Sequence, residues 1–273
     1  MADSSIILIT GGNTGIGYES VKALYASSQP HKILMGSRSL EKANDAISKL
    51  KSEVSASKSD VEPIQIDIED DESIERAFKH VESKYRRLDA LVNNAGGSFD
   101  GMIREDPSPK GIRAAWEKTH SLNVTSTQVV TQTFAPLLIA SSNPRLLFVT
   151  SGLSSLENCA GGGDASASLF AKEQPKGWPK PPQWTPTAYR SSKVALNMVM
   201  LSWEKMLAVD GVKVFAISPG FLATGLGGMT AEFMRKMGAG EPSVGGEFIK
   251  DVIEGKRDGD AGKVINKDGV QPW

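Results

Sequence analysis

A tyrosine and a lysine four positions apart, in Tyr189-Arg-Ser-Ser-Lys193, place a phenol and an ammonium side by side on one face of a helix. A cation held there is expected to favour the tyrosinate and lower the pKa of Tyr189, giving a proton donor and acceptor usable near neutral pH. A second motif lies near the start of the chain, Thr10-Gly-Gly-Asn-Thr-Gly-Ile-Gly17. It follows the apolar run Ile6–Ile9 and opens a helical pattern through Tyr18, Val21 and Leu24. Strand, tight glycine turn and helix is the context in which free N–H groups cradle a pyrophosphate. Each motif alone has an ordinary structural explanation, a surface pair on a helix or a turn packed tightly. Together they describe machinery for moving hydride.

The elements that must position these groups alternate between strand-like and helix-like patterns, which predicts parallel βαβ units in a doubly wound sheet. Strands are expected at Ile6–Thr10, Lys32–Met35, Pro63–Ile68, Leu88–Asn93, Arg145–Thr150 and Val212–Ser218, with Lys263–Ile265 as a last edge strand. Helices are expected after Gly15, from Leu40 to about Leu50, from Ser73 to Tyr85, from Ala114 to Leu138, and from Ala188 to Val209. Two stretches break the rhythm. Between Ser151 and Tyr189 lies an insert, 152–188, rich in Gly, Ser, Pro and Lys, and a loop that long inside a compact domain is usually functional. From 221 to 246, glycines alternate with Met229, Phe233, Met234 and Met237, which reads as a glycine-hinged apolar flap.

The chain has 273 residues, 40% of them hydrophobic, enough to bury a full core in one α/β domain. A net charge of −1 gives no electrostatic footprint for nucleic acid or an anionic membrane, so the expected partner is a small molecule. No apolar run approaches the ~20 residues that span a bilayer. The single cysteine, Cys159, excludes an internal disulfide, and the first strand begins too close to Met1 for a signal peptide. The expected setting is therefore cytoplasmic. His31, His80 and His120 are scattered without ligand spacing, so no metal site is expected.

Five signatures stand in order along the chain: the glycine motif at 10–17, Asn93-Asn-Ala-Gly96, Asn123, Ser151 after a strand, and the Tyr189/Lys193 pair. Pro219-Gly220 with Thr224 makes a sixth. This set resembles the classical short-chain dehydrogenase/reductase family from Ile6 to Val264, and the resemblance implies a single-domain Rossmann fold. It also implies roles. Gly11, Asn13, Thr14, Gly15, Ile16 and Gly17 would meet the cofactor's pyrophosphate region, with Asn13 and Thr14 equally readable as plain turn residues. Asn94, Ala95 and Gly96 would lie beside the adenosine half, and Pro219, Gly220 and Thr224 beside the nicotinamide. Tyr189 would be the general acid, Lys193 its partner and a ligand of the nicotinamide ribose, and Ser151 the group that polarises the substrate carbonyl. Asn123 would hold a water linking Lys193 to solvent. Ser154 and Ser155 compete with Ser151, which directly ends its strand, where open α/β sheets place ligands.

The cofactor choice rests on the end of the second strand. A dinucleotide site for NAD usually offers an acid there to grip the ribose 2′-hydroxyl, whereas Ser37 and Arg38 occupy that place here. A guanidinium binds phosphate oxygens and a hydroxyl adds a donor, which points to NADP(H). Asp67 and Ile68, ending the third strand, resemble the residues that meet the adenine, though Asp67 could equally cap a turn.

Ser151 and Tyr189 stand much further apart than in ordinary members of the family. Carbonyl reductases of the superfamily resemble this chain in the insert, in the Gly-Gly-Asn turn and in Gly177-Trp-Pro179, and filamentous-fungal ketoreductases look similar. The resemblance thus implies an NADPH-dependent carbonyl reductase. The apolar flap, with Trp178 and Trp184, points to a bulky aromatic or alicyclic carbonyl substrate. The same fold would also serve a non-redox isomerisation or cyclisation, or a non-catalytic NADP-binding partner. Insert residues Leu153, Leu156, Leu169, Phe170, Trp178 and Trp184 are expected to fold over the helix faces through which ordinary members form tetramers, giving a monomer. A disordered insert leaving those faces free is the competing expectation.

Overall fold

Ile6 and Leu8 point to one side of the first strand and Ile7 and Ile9 to the other, and all four are buried. A strand apolar on both faces needs cover on both faces, and parallel sheets obtain it from crossover helices. The computed structural model describes residues 4–161, 175–178, 180 and 186–273, and among these the strands are β1 (Ser5–Ile9), β2 (His31–Ser37), β3 (Asp60–Gln65), β4 (Ala90–Asn93), β5 (Arg145–Val149), β6 (Lys213–Ile217), β7 (Val264–Asn266) and β8 (Gly269–Val270). They form one sheet in the order β3-β2-β1-β4-β5-β6-β7-β8, parallel as far as β7 and antiparallel at β8.

The helices are α1 (Gly15–Tyr25), α2 (Leu40–Glu53), α3 (Asp71–Tyr85), α4 (Gly101–Glu105), α5 (Pro109–His120), α6 (Ser126–Ile139), α7 (Leu156–Cys159), α8 (Thr187–Leu207), α9 (Ala231–Lys236) and α10 (Pro242–Ile253). One core layer joins α3, α6 and α8 to the sheet through Ile74, Val81, Phe134, Leu196, Met200 and Trp203. The opposite layer joins α1, α2 and α10 through Val21, Leu24, Ile47, Phe248, Ile249 and Val252. The strand order reverses between β1 and β4, and at such a switch point a doubly wound sheet opens a crevice beyond its strand ends. The glycine turn follows β1 and Asn94 follows β4, so both motifs fall at that crevice.

Several expectations are corrected. β3 begins at Asp60, ahead of the expected Pro63; it is an edge strand, where a proline without an N–H is tolerated. The helix expected from Ala114 begins at Pro109, capped by Ser108, whose hydroxyl accepts from Gly111 N at 3.2 Å. It runs on through a π-helical turn, Ser121–Thr125, which carries Asn123, before α6. The flap gives up its last residues to α10, with Pro242 in the first turn. Its remainder closes on itself: Ala223 N donates to Gly240 O at 2.8 Å, and Met234 packs with Ala223 and Ala239 in a small core of its own. Of the expected insert contacts, Leu169, Phe170 and Trp184 lie outside the described residues, while Trp178 is 86% exposed. No helix among the described residues is long and apolar enough to cross a membrane.

Candidate active site

The turn after β1 is built so that backbone approaches backbone. Gly11 and Gly15 have φ of 63° and 54°, and Thr14 precedes α1 in extended geometry with no side-chain cap. No acid stands in the first turn of α1, so its N–H groups and the positive end of its dipole face the crevice without a carboxylate. A Cβ at Gly17 would stand 2.2 Å from the Gly11 carbonyl oxygen and 2.5 Å from Asn94 Nδ2, which makes glycine obligatory there. Asn94 reaches this turn directly, its Nδ2 donating to Thr10 O at 2.9 Å and to Gly11 O at 3.2 Å. Asn94 thus holds the shape of the glycine turn from the neighbouring strand. Thr10, which sequence reasoning passed over, completes the brace: its Oγ1 accepts from Asn94 N at 3.1 Å and Ala95 N at 3.0 Å.

The catalytic candidates meet at the C-terminal ends of β4 and β5. Tyr189 and Lys193 lie on the first turns of α8 with 8% and 5% of their surface exposed. Lys193 Nζ donates to Val149 O at 2.8 Å and lies 5.7 Å from the centroid of the Tyr189 ring. Burial holds this ammonium down to about 8. The expectation that it depresses Tyr189 is corrected: burial pushes the phenol up to about 12, and only a hydrogen bond with the Ser151 hydroxyl acts downward. The desolvation of the tyrosinate outweighs an ammonium that is turned toward a backbone carbonyl.

Ser151 caps the short helical turn Gly152–Ser154, its hydroxyl accepting from Leu153 N at 3.2 Å. Its competitors are engaged elsewhere: Ser154 is held by Asn197 Nδ2 at 3.0 Å, and Ser155 Oγ donates to Trp273 O at 3.2 Å. Asn123 is 1% exposed, and its amide clamps Gly97, donating to its carbonyl and accepting from its N–H, both at 2.8 Å. Its Nδ2 also donates to Ser192 Oγ at 2.9 Å, and that hydroxyl donates to Tyr189 O at 2.7 Å. Both ends of the amide are committed to protein groups, so the Asn123 side chain shapes the loop after β4 and the first turn of α8. A Cβ at Gly96 would lie 2.8 Å from Asn123 Oδ1 and 3.5 Å from Lys193 Nζ, which places Gly96 between the two.

At the far end of the crevice, Ser37 is buried and Arg38 exposed, and the Arg38 guanidinium has no hydrogen bond or ion pair among the described residues. Asp67 Oδ1 accepts from Glu69 N at 3.1 Å, a turn contact, and the Ile68 side chain is buried in the core with Ile66 and Ile74. On the nicotinamide side of the expected site, Thr224 comes within 3.7 Å of the position a Cβ would take at Gly15. Pro219 and Ile16 both pack close to Gly245 of α10, so the turn after β6 and the start of α1 share one support. Gly220 has φ of 103°.

A family model for short chain dehydrogenases matches residues 5–172, which hold the glycine turn, Asn94, Asn123 and Ser151. The chain belongs to that family. Over its whole length it is 43% identical to the short-chain dehydrogenase/reductase tropE of Talaromyces stipitatus, covering 99% of that protein. It is 46% identical to eupG of Phoma sp, another short-chain dehydrogenase/reductase, across 98% of this chain and 97% of the relative. Among solved structures, the NADPH-bound carbonyl reductase from chicken fatty liver superposes with a TM-score of 0.73 at 23% identity, covering 99% of each chain.

In this short-chain dehydrogenase a cleft of about 390 Å³ opens beside Gly96. Its walls are the loop after β4 and α4, with Phe99, Met102 and Glu105, and the turn after β6, with Leu226. The apolar wall thus comes from Phe99 and Met102 after β4 and from Leu226 of the flap, whose Met234 is buried in a small core of its own. Helix α4 carries no strong sequence periodicity over its few residues, which is why this wall was not legible beforehand.

Proposed function

We propose that the chain reduces a bulky ketone or aldehyde, aromatic or alicyclic, with NADPH. The observation that carries this reading is the meeting of Ser151, Tyr189 and Lys193 at the end of β5, beside a cleft with an apolar wall. The glycine turn, the uncapped first turn of α1 and the exposed Arg38 fit a dinucleotide bearing a 2′-phosphate. When bound, NADPH supplies the hydride. Tyr189 Oη then gives its proton to the oxygen that becomes the alcohol, and a phenol at about 12 carries that proton throughout the neutral range. Ser151 holds the same oxygen by hydrogen bonding where negative charge develops. Lys193 offsets that charge and, by the family resemblance, binds the nicotinamide ribose. NADPH absorbance followed with aryl ketones, diketones and quinones should show oxidation in at least one class. Substrate conversion without NADPH oxidation would identify an isomerase or cyclase instead, and NADPH binding without either would identify a non-catalytic partner.

The same reading includes a cytoplasmic monomer. Helices α5 and α8 present Ile112, Met198 and Met206 to the outside, and the insert enters directly before α8. Its start is tied to the chain's end, Glu157 N donating to Trp273 O at 2.7 Å. We expect light scattering to give the mass of one chain; four times that mass would overturn the cap. Removing residues 157–180 should expose apolar surface and drive association.

A further inference from the structure

We infer that Asp100 is a positioning residue that couples the cleft wall to the proton donor, an assignment that rests on the reading of Tyr189 as general acid. Asp100 stands at the N-terminal cap of α4, yet its carboxylate does not cap that helix. It turns instead to α8, 88 positions further along the chain, where Oδ1 accepts from Ala188 N at 2.9 Å and Oδ2 from Tyr189 N at 3.1 Å. Helix α8 needs that help. Its own cap position is Pro186, whose side chain offers no acceptor, and Asp100 supplies one to the amides of Ala188 and Tyr189.

A carboxylate at a helix N-terminus bonds to the amides and also meets the positive end of the dipole. One of the two amides belongs to Tyr189 itself, so the anchor acts on the backbone of the residue that donates the proton. A third bond fixes the anchor, Ser98 Oγ donating to Asp100 Oδ2 at 3.1 Å. Ser98, Phe99, Gly101 and Met102 line the cleft on either side of Asp100. The segment a carbonyl substrate would press against is therefore the segment that holds the Tyr189 turn. Asp100 touches neither hydride nor carbonyl in this scheme; it sets where the phenol stands.

The test uses the full chain in two readouts. In the first, Asp100→Ala should lower kcat by roughly ten- to a hundredfold, the scale of losing hydrogen bonds to a charged acceptor, while KM for NADPH stays within about twofold. Asp100→Asn, which keeps one acceptor oxygen, should recover part of kcat, and Ser98→Ala should fall between it and the wild type. In the second, amide exchange across 187–193 should speed up by about tenfold or more in Asp100→Ala, with exchange in β4 and β5 unchanged. The second readout needs no turnover, so a wild-type protein inactive on every carbonyl would sink the proposed function and still leave Asp100 decidable. Unchanged exchange, an unchanged kcat in an active enzyme, or a loss confined to KM for NADPH would each overturn the assignment.

Discussion

Tyr189→Phe is expected to lower carbonyl reduction by roughly 10²–10⁴, the range typical of a general acid, while NADPH binds as before. The substitution removes one oxygen from a side chain that is 8% exposed and leaves its ring in place, so the fold should not respond. Ser151 loses a hydrogen-bond partner but keeps the bond it accepts from Leu153 N. The effect should therefore fall on kcat, because the proton is transferred only as charge develops on the carbonyl oxygen. Stopped assays with NADPH titrated by fluorescence would separate the two quantities, and undiminished turnover would remove Tyr189 from its role. The pH profile gives an independent check. Burial holds Lys193 near 8, so kcat/KM, which reports the free enzyme, should fall as the pH rises through that value and the ammonium becomes neutral. Tyr189, near 12, keeps its proton over the same interval, so the limb belongs to the lysine.

The parts legible in the sequence were those with a short period or a fixed local spacing. The apolar run Ile6–Ile9, the glycine turn and the four-residue step from Tyr189 to Lys193 are each local features of the chain, and all three recur in the structure as a buried strand, a tight turn and one helix face. What was not legible depends on contacts between distant segments. Asp100 reads as an ordinary loop acid until the fold brings Ala188 and Tyr189 to it. Thr10 reads as the last residue of a strand until β4 delivers the amides of Asn94 and Ala95. Gly245 and Gly246 suggested a hinge, and instead they lie inside α10, where a Cβ on Gly246 would stand 2.4 Å from the carbonyl carbon of Glu19. Close helix packing and flexibility draw on the same residue type, and only the neighbour distinguishes them. The direction of the Tyr189 shift depends on the fold for a related reason: spacing places a cation nearby, but only the folded site shows that burial outweighs it and that Nζ is bonded to Val149 O.

Arg38→Asp should weaken NADPH by about one to two decades and raise the relative use of NADH, with the fold untouched. Loss of hydrogen bonds to a charged group costs roughly 1.5–3 kcal/mol, and the new carboxylate adds repulsion toward a 2′-phosphate. The same carboxylate can accept from a ribose 2′-hydroxyl, so the change in the NADPH-to-NADH ratio should exceed the loss of NADPH affinity alone. The position is suited to such a swap. Arg38 follows β2 at the edge of the crevice, its side chain is exposed, and the local turn is held by other groups: Ser39 Oγ accepts from Lys42 N at 3.2 Å to cap α2, and Gln65 Nε2 donates to the Arg38 carbonyl at 3.4 Å. A side chain that supports nothing else can lose its charge without loss of stability, so thermal unfolding without cofactor should match the wild type. If Arg38 were only a solvated surface residue, both cofactors would bind the variant as they bind the parent. A wild-type enzyme that already prefers NADH would refute the assignment more directly, since neither Ser37 nor Arg38 offers the acceptor that an NAD site places there to grip the 2′-hydroxyl.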